Sequence, residues 1–294
     1  MKIRSLQELV DRANQMGGTL GAAAMALQVE QDRDDPIQMR EKMRQALEVM
    51  RQSVESGMDP HTHSVSGLTG GQAARLMAVA ESGASVGGTD LTRAAARALA
   101  VAEFNAAMGR IVAAPTAGAS GVLPGVFFSL KKHCQLSDDT LARGLVVAGS
   151  IGMVIAERAS LAGATGGCQA ECGSAAAMAA GAAVSMLGGS AEQVGTAVAI
   201  VFKNVLGLVC DPVAGLVEVP CIKRNGACAL QALLAAQLAL SGIGSFINAD
   251  EAIDAMKSVG DSLPCALKET AGGGMATTPS ALAWAKEYFA KAHK

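Results

Sequence analysis

Residues 166–181, GGCQAECGSAAAMAAG, are built almost entirely from small side chains, and no other stretch constrains the fold as strongly. A helix of alanine and glycine offers no bulky ridge, so neighbouring backbones can approach it closely. Half of the chain is hydrophobic but only 3% is aromatic, so Ala, Gly, Leu, Val and Met must fill the core. With 294 residues the chain is long enough to bury one. The same stretch places Cys168 and Cys172 where nothing crowds them. They are either small packed hydrophobes or thiol ligands with room beside them.

Helix signals recur along the chain. Asp35 is a candidate N-cap with Pro36 at the first helical position. Met39, Met43, Leu47, Met50 and Val54 then follow at intervals of four, four, three and four, which marks one apolar stripe. Gly57 is placed to end that helix. Ser137, Ser190 and Asn248 are further N-caps, the last two in the capping-box patterns SAEQ and NADE, and Thr278 precedes Pro279 at a final start. The best strand candidate, AVAIVFKNVLGLV, lacks clean alternation and reads equally as a buried helix. The expected fold is therefore all-α, a bundle of Ala/Gly-rich helices joined by Gly-rich loops. Residues 1–294 read as one domain, in which the more charged residues 1–60 form a helical lead-in.

A net charge of −2 provides no basic surface for nucleic acid. The first residues carry Glu8 and Asp11 and lack the apolar run of a signal peptide, which points to the cytoplasm. The most membrane-like run, residues 227–246, contains Gln231 and Gln237, and no aromatic belt flanks it. It reads as a buried helix, and no membrane association is expected.

Three loops interrupt the helices: HTHSVSGLTGG (61–71), APTAGASGVLPG (114–125) and CDPVAGLVEVPC (210–221). Each combines Gly, Pro or hydroxyl residues in a way that ends helices and exposes backbone N–H groups. Such loops either close turns or converge on an anionic ligand. The seven cysteines, Cys134, Cys168, Cys172, Cys210, Cys221, Cys228 and Cys265, follow neither zinc-ribbon nor ferredoxin spacing. Spacing alone leaves both buried thiols and a metal site open.

Four stretches carry a resemblance: VAEFNAAMGRIVAAPTAGASGVLPGV, GATGGCQAECGSAAAMAAG, GLVCDPVAGLVEVPCIKRNG and ALKETAGGGMATTP. Together they resemble the α chain of the iron–sulfur-dependent L-serine dehydratases, from about residue 65 to about residue 279, in that family's order. The resemblance implies that Cys168, Cys210 and Cys221 hold a [4Fe–4S] cluster, with the Gly-rich loops converging on that buried site. Cys172 falls where the family needs no ligand and reads as a packed neighbour. Three protein ligands leave one iron open, as a Lewis-acid metal requires. The implied reaction converts L-serine to pyruvate and ammonia.

The resemblance also implies a β-chain partner, alone or together with further copies of this chain. Substrate contacts are expected from Ser66, Gly67, Thr69 and Gly70 in the first loop and from Thr116, Gly118 and Ser120 in the second. The second loop lies near a helix start whose dipole favours an anion. Lys268, Glu269 and Thr270 adjoin a glycine run and join these candidates. The base is left open among His61, His63 and Lys268, while His133 reads as helix surface and His293 lies in the tail. The rival chemistries are an iron–sulfur lyase acting on cysteine, a pyridoxal-phosphate lyase, and a non-catalytic iron–sulfur protein. The last of these has no need of the two glycine loops.

Overall fold

The structure, a computed structural model, describes residues 3–32 and 35–292, so His293 lies outside it. Thirteen α-helices and no strands are present among the described residues. The lead-in contains α1 (Leu6–Gln15), α2 (Leu20–Asp32) and α3 (Pro36–Gly57). Next come α4 (Gln72–Glu81), α5 (Thr89–Ala106), α6 (Val122–Cys134), α7 (Asp138–Arg158) and the single turn α8 (Gly163–Gly166). A π-helical turn, Gln169–Gly173, runs directly into α9 (Ser174–Met186). The chain ends with α10 (Ala191–Val205), α11 (Cys221–Leu240), α12 (Ala249–Ser262) and α13 (Pro279–Ala292).

The helix starts are set by local chemistry. Asp35 and Ser137 accept hydrogen bonds from the first turns of α3 and α7. Ser190 and Gln193 form a reciprocal capping box at α10. At α12 only half of that motif is seen, with the Asn248 side chain accepting from Glu251 N. The Thr278 hydroxyl instead donates back to the Met275 carbonyl at 2.9 Å. The α4 start is capped from a distance: Gln72 and Ala73 donate their N–H groups to the buried Glu103 carboxylate on α5.

The small-residue helix α9 is the centre of the bundle. Every one of its residues except Ser185 is buried, and α6, α7, α10 and α11 pack around it. Close approach replaces side-chain bulk there, since a Cβ on Gly181 would lie 2.4 Å from Ile151 Cδ1. The AVAIVFKNV run is helical in α10, with Ala197 to Phe202 all buried. Residues 227–240 lie in α11 and the chain turns after Leu240. Among the described residues α7 alone is long and apolar enough to cross a membrane, and 67% of its most apolar stretch is buried in the protein.

The lead-in packs on this body: α1 on α10 and α12, α2 on α7, and α3 on α5 and α7. The α3 stripe faces inward, with Met39, Leu47 and Met50 buried and Met43 and Val54 partly so. Gly57 does not end α3 by adopting a left-handed conformation. It is the last helical residue, and its missing side chain admits α5, because a Cβ there would lie 1.9 Å from the Ala100 carbonyl oxygen.

Two glycine substitutions separate these roles. Gly57→Ala is expected to destabilise the protein by about 3 kcal/mol, the upper end of overpacking costs. Gly149→Ala, on an exposed face of α7 with nothing near its Cβ position, should stabilise by about 0.5–1 kcal/mol. Chemical denaturation of both variants checks the two signs.

Candidate active site

The π-helical turn ahead of α9 is the geometric centre of the site. Such turns displace side chains from regular helical register and are frequent at functional positions. Here the ligand atoms of Cys168, Glu171 and Cys172 all lie within 4.8 Å of one another. Gln169, fully buried, holds the turn in place: its amide donates to the Gly166 and Met256 carbonyls and its oxygen accepts from Gly207 N.

Cys210 and Cys221 approach it from the 210–221 loop, close enough to Cys168 to feel its charge, but neither joins the group of ligand atoms within 4.8 Å among the described residues. Cys210 lies on a short parallel bridge with Lys268, exchanging Cys210 N to Leu267 O and Glu269 N to Cys210 O at 2.9 and 2.8 Å. Cys221 is the first residue of α11. All three thiols are buried, at 1%, 3% and 6% exposure for Cys168, Cys210 and Cys221. Arg224 adds one fixed cation. Its guanidinium donates to the Val209 carbonyl and to the buried Asp211 carboxylate, each at 2.8 Å.

The thiols influence one another. Burial, with the charge of Cys168 next, raises the Cys210 thiol far above its ordinary value and pushes Cys221 up to about 12. The Cys172 hydrogen bond and the Arg224 charge hold Cys168 down against burial. Cys172 is itself raised by its hydrogen bonds to Cys168 and Cys228 and by burial, and its sulfur stands in the same group of possible metal donors as Cys168 and Glu171. Burial also raises Glu171, opposed by the Thr116 hydroxyl and reinforced by the Glu269 charge.

Buried hydrogen bonds tie the three loops together. Asn225 on α11 donates to the Gly118 and Cys221 carbonyls and accepts from Gly121 N, binding the 114–125 loop to the start of α11. The Thr116 hydroxyl donates to Glu171 at 2.6 Å, and Ala119 N donates to Thr116 at 3.2 Å. The Thr69 hydroxyl donates to the buried Glu218 carboxylate at 2.7 Å, linking the 61–71 loop to the cysteine loop.

The expected substrate residues fall into two groups. Gly67, Thr69 and Gly70, with His63, line one open depression of about 460 Å³, while Ser66 bonds Ser64 and Leu68 N beside it. Thr116 and Gly118 lie against Glu171, and Ser120 is buried with no hydrogen-bond partner on its hydroxyl. His61 and His63 are exposed, the His63 ring nitrogen bonding the His61 carbonyl. Lys268 is half-buried beside Cys210, whereas Glu269 and Thr270 are exposed. His133 is exposed and pairs with Asp90.

Glu171, Asp211, Glu218, Arg224 and Asn225 were not singled out by sequence reasoning. Their one signal is position: each lies within four residues of Cys168, Cys210 or Cys221 and carries a polar group into a Gly/Ala-rich segment. The donor set suits a thiophilic metal centre. Buried thiols that resist ionisation by themselves become thiolates when a metal supplies positive charge, and sulfur-rich sets select iron–sulfur clusters or similarly soft metals.

A family described as serine dehydratase alpha chain matches residues 7–276. A probable L-serine dehydratase alpha chain of Bacillus subtilis is 45% identical over 97% of this chain and 95% of its own length. The L-serine dehydratase alpha chain of Peptoniphilus asaccharolyticus is 40% identical over 93% of this chain and 94% of its own. An L-serine dehydratase of Streptomyces coelicolor is 41% identical over 93% of this chain, which spans 60% of that longer protein.

Asn225→Ala removes three hydrogen bonds at a fully buried position and leaves Gly121 N and the Gly118 carbonyl without this partner. A loss of about 3 kcal/mol is expected, given about 1–3 kcal/mol for each buried group left unsatisfied and partial relaxation. Proteolysis should then cut first in the 114–125 loop. Limited digestion combined with denaturant titration checks both effects.

Proposed function

The chain belongs to the serine dehydratase alpha-chain family, and from that premise we propose that it is an L-serine ammonia-lyase that uses a [4Fe–4S] cluster held by Cys168, Cys210 and Cys221. The observation that carries this reading is the burial of all three thiols, with the charge of Cys168 reaching the other two and the two glycine loops hydrogen-bonded onto the same elements. The bound cluster supplies a Lewis acid, one iron free of protein ligands, which eases departure of the substrate hydroxyl.

The chain's own residues set up the rest of the reaction. The 114–121 loop, with Gly118 and the unpartnered Ser120 hydroxyl ahead of α6, receives the substrate carboxylate near a helix start. The 61–71 loop joins the cysteine loop through Thr69, whose hydroxyl bonds Glu218, with Gly70 beside it. A base chosen among His61, His63 and Lys268 removes the α-proton as hydroxide leaves, so water and aminoacrylate form. Aminoacrylate tautomerises to the imine, and addition of water releases pyruvate and ammonia.

A second chain belongs to this reading. The relatives matched over nearly their whole length are named alpha chains, and the Streptomyces coelicolor protein carries further sequence beyond the part that matches. We place the protein in the cytoplasm, where reducing conditions keep thiols available as ligands.

Protein purified without oxygen is expected to contain about four iron and four sulfide per chain, the content of a cubane cluster. Cys168→Ala, Cys210→Ala and Cys221→Ala should each lose the iron together with serine turnover, whereas Cys172→Ala should keep both. Full iron content in Cys210→Ala would remove that residue from the ligand set. Air exposure should inactivate the wild-type enzyme.

A further inference from the structure

L-Serine is a zwitterion, and the proposed function gives partners to its carboxylate and its hydroxyl but none to its α-ammonium group. Burying an unpaired cation is costly, so a site selective for α-amino acids needs an anionic counterpart there. Two carboxylates flank the cysteines. Glu171 projects from the π-helical turn, half-buried, with Oε1 anchored by the Thr116 hydroxyl at 2.6 Å. Glu269 is brought beside Cys210 by the backbone bond from its N–H to the Cys210 carbonyl.

Both carboxylates have room made for them. A Cβ on Gly118 would lie 2.6 Å from Glu171 Oε1, and a Cβ on Gly163 would lie 2.9 Å from Cys210 Sγ and 3.3 Å from Glu269 Oε2. Glu269 also adopts a left-handed conformation with φ +63°, which L side chains rarely take and which is retained where function requires it. Arg224, whose charge bears on Cys168, is already paired with Asp211, and Lys268 directly precedes Glu269. Gly163, which Glu269 Oε2 faces, opens α8, and α8 packs on the π-helical turn that carries Glu171, so the two carboxylates flank the same elements.

We propose that Glu171 and Glu269 together receive the α-ammonium group of the substrate and make the site selective for α-amino acids over the same acids without the amine. This rests on the dehydratase reading. It adds two specificity-determining residues, with the amine held on the cysteine side.

The test uses holoenzyme prepared without oxygen and two unreactive probes, L-alanine and propanoate, which differ only in the amine. Inhibition constants against L-serine turnover are measured for wild type, Glu171→Gln and Glu269→Gln, with calorimetric binding of both probes and iron content recorded for each protein. Wild type should prefer L-alanine, and each Gln variant should lose about ten- to hundred-fold of that preference, the range for charge-assisted pairs. The Michaelis constant for L-serine should rise more than kcat falls. An unchanged preference in both variants overturns the proposal, as does a collapse of kcat with the preference intact, which would assign the carboxylates to proton transfer. Because Glu269 is exposed, its Gln variant keeps the test open if Glu171→Gln loses iron. A wild-type protein with neither iron nor serine turnover would instead overturn the dehydratase reading itself.

Discussion

The rest of this structure depends on the close backbone packing around α9. Twelve of its residues are buried, most of them alanine, so α6, α7, α10 and α11 meet it with little side chain between them. A helix enclosed in this way cannot rotate or slide without opening voids or clashes, because protein interiors are packed to crystal-like density. The π-helical turn at its N-terminal end therefore has a fixed position and direction. Cys168 and Glu171 inherit that rigidity. A site placed on a rigid element keeps its geometry better than one carried by loops alone.

The loops acquire their positions second-hand. Asn225 and Glu218 reach from α11 and the segment before it to the 114–125 and 61–71 loops, while Asp211 joins Arg224 to Met275 N. Each tie ends on a buried backbone or carboxylate group that is costly to leave unpaired. The Gly-rich segments need this help because glycine lowers the cost of unusual backbone shapes without specifying one. Backbone freedom and buried polar anchors thus act together: the glycines let the backbone approach, and Asn, Glu and Asp decide where it stops.

Much of the fold was legible because its determinants are local. The caps at Asp35, Ser137 and Ser190 bond within three residues of themselves, so a short window of sequence contains the whole interaction. The all-α reading followed from the same kind of signal, including the apolar AVAIVFKNV run that forms α10. Gly57 does mark the end of α3, but the reason was not legible there, because its constraint, the Ala100 carbonyl, lies 43 residues later in α5. Cys168, Cys210 and Cys221 were singled out through resemblance, since their spacing follows no simple ligand rule. Glu171, Glu218, Arg224 and Asn225 were missed for a physical reason. Thr116 lies 55 residues from Glu171, Thr69 lies 149 from Glu218, and Gly118 lies 107 from Asn225, and no periodicity records such pairings.

Charge explains why thiols, glutamates and glycine loops belong to one site. Burial alone keeps Cys210 and Cys221 as neutral thiols, indistinguishable in chemistry from core residues. A bound metal reverses that preference, because coordination draws the thiols into their ionised form. The ionised set is strongly negative, and the single nearby guanidinium is already shared with Asp211. What remains on that side of the site is an excess of negative charge next to Glu171 and Glu269. The 114–121 loop meets this same side, since the Thr116 hydroxyl donates to Glu171 and Gly118 leaves room for its carboxylate. Negative charge gathered in this way favours a cationic group of a ligand over a further anion, and the bond from Thr116 fixes where the Glu171 carboxylate stands.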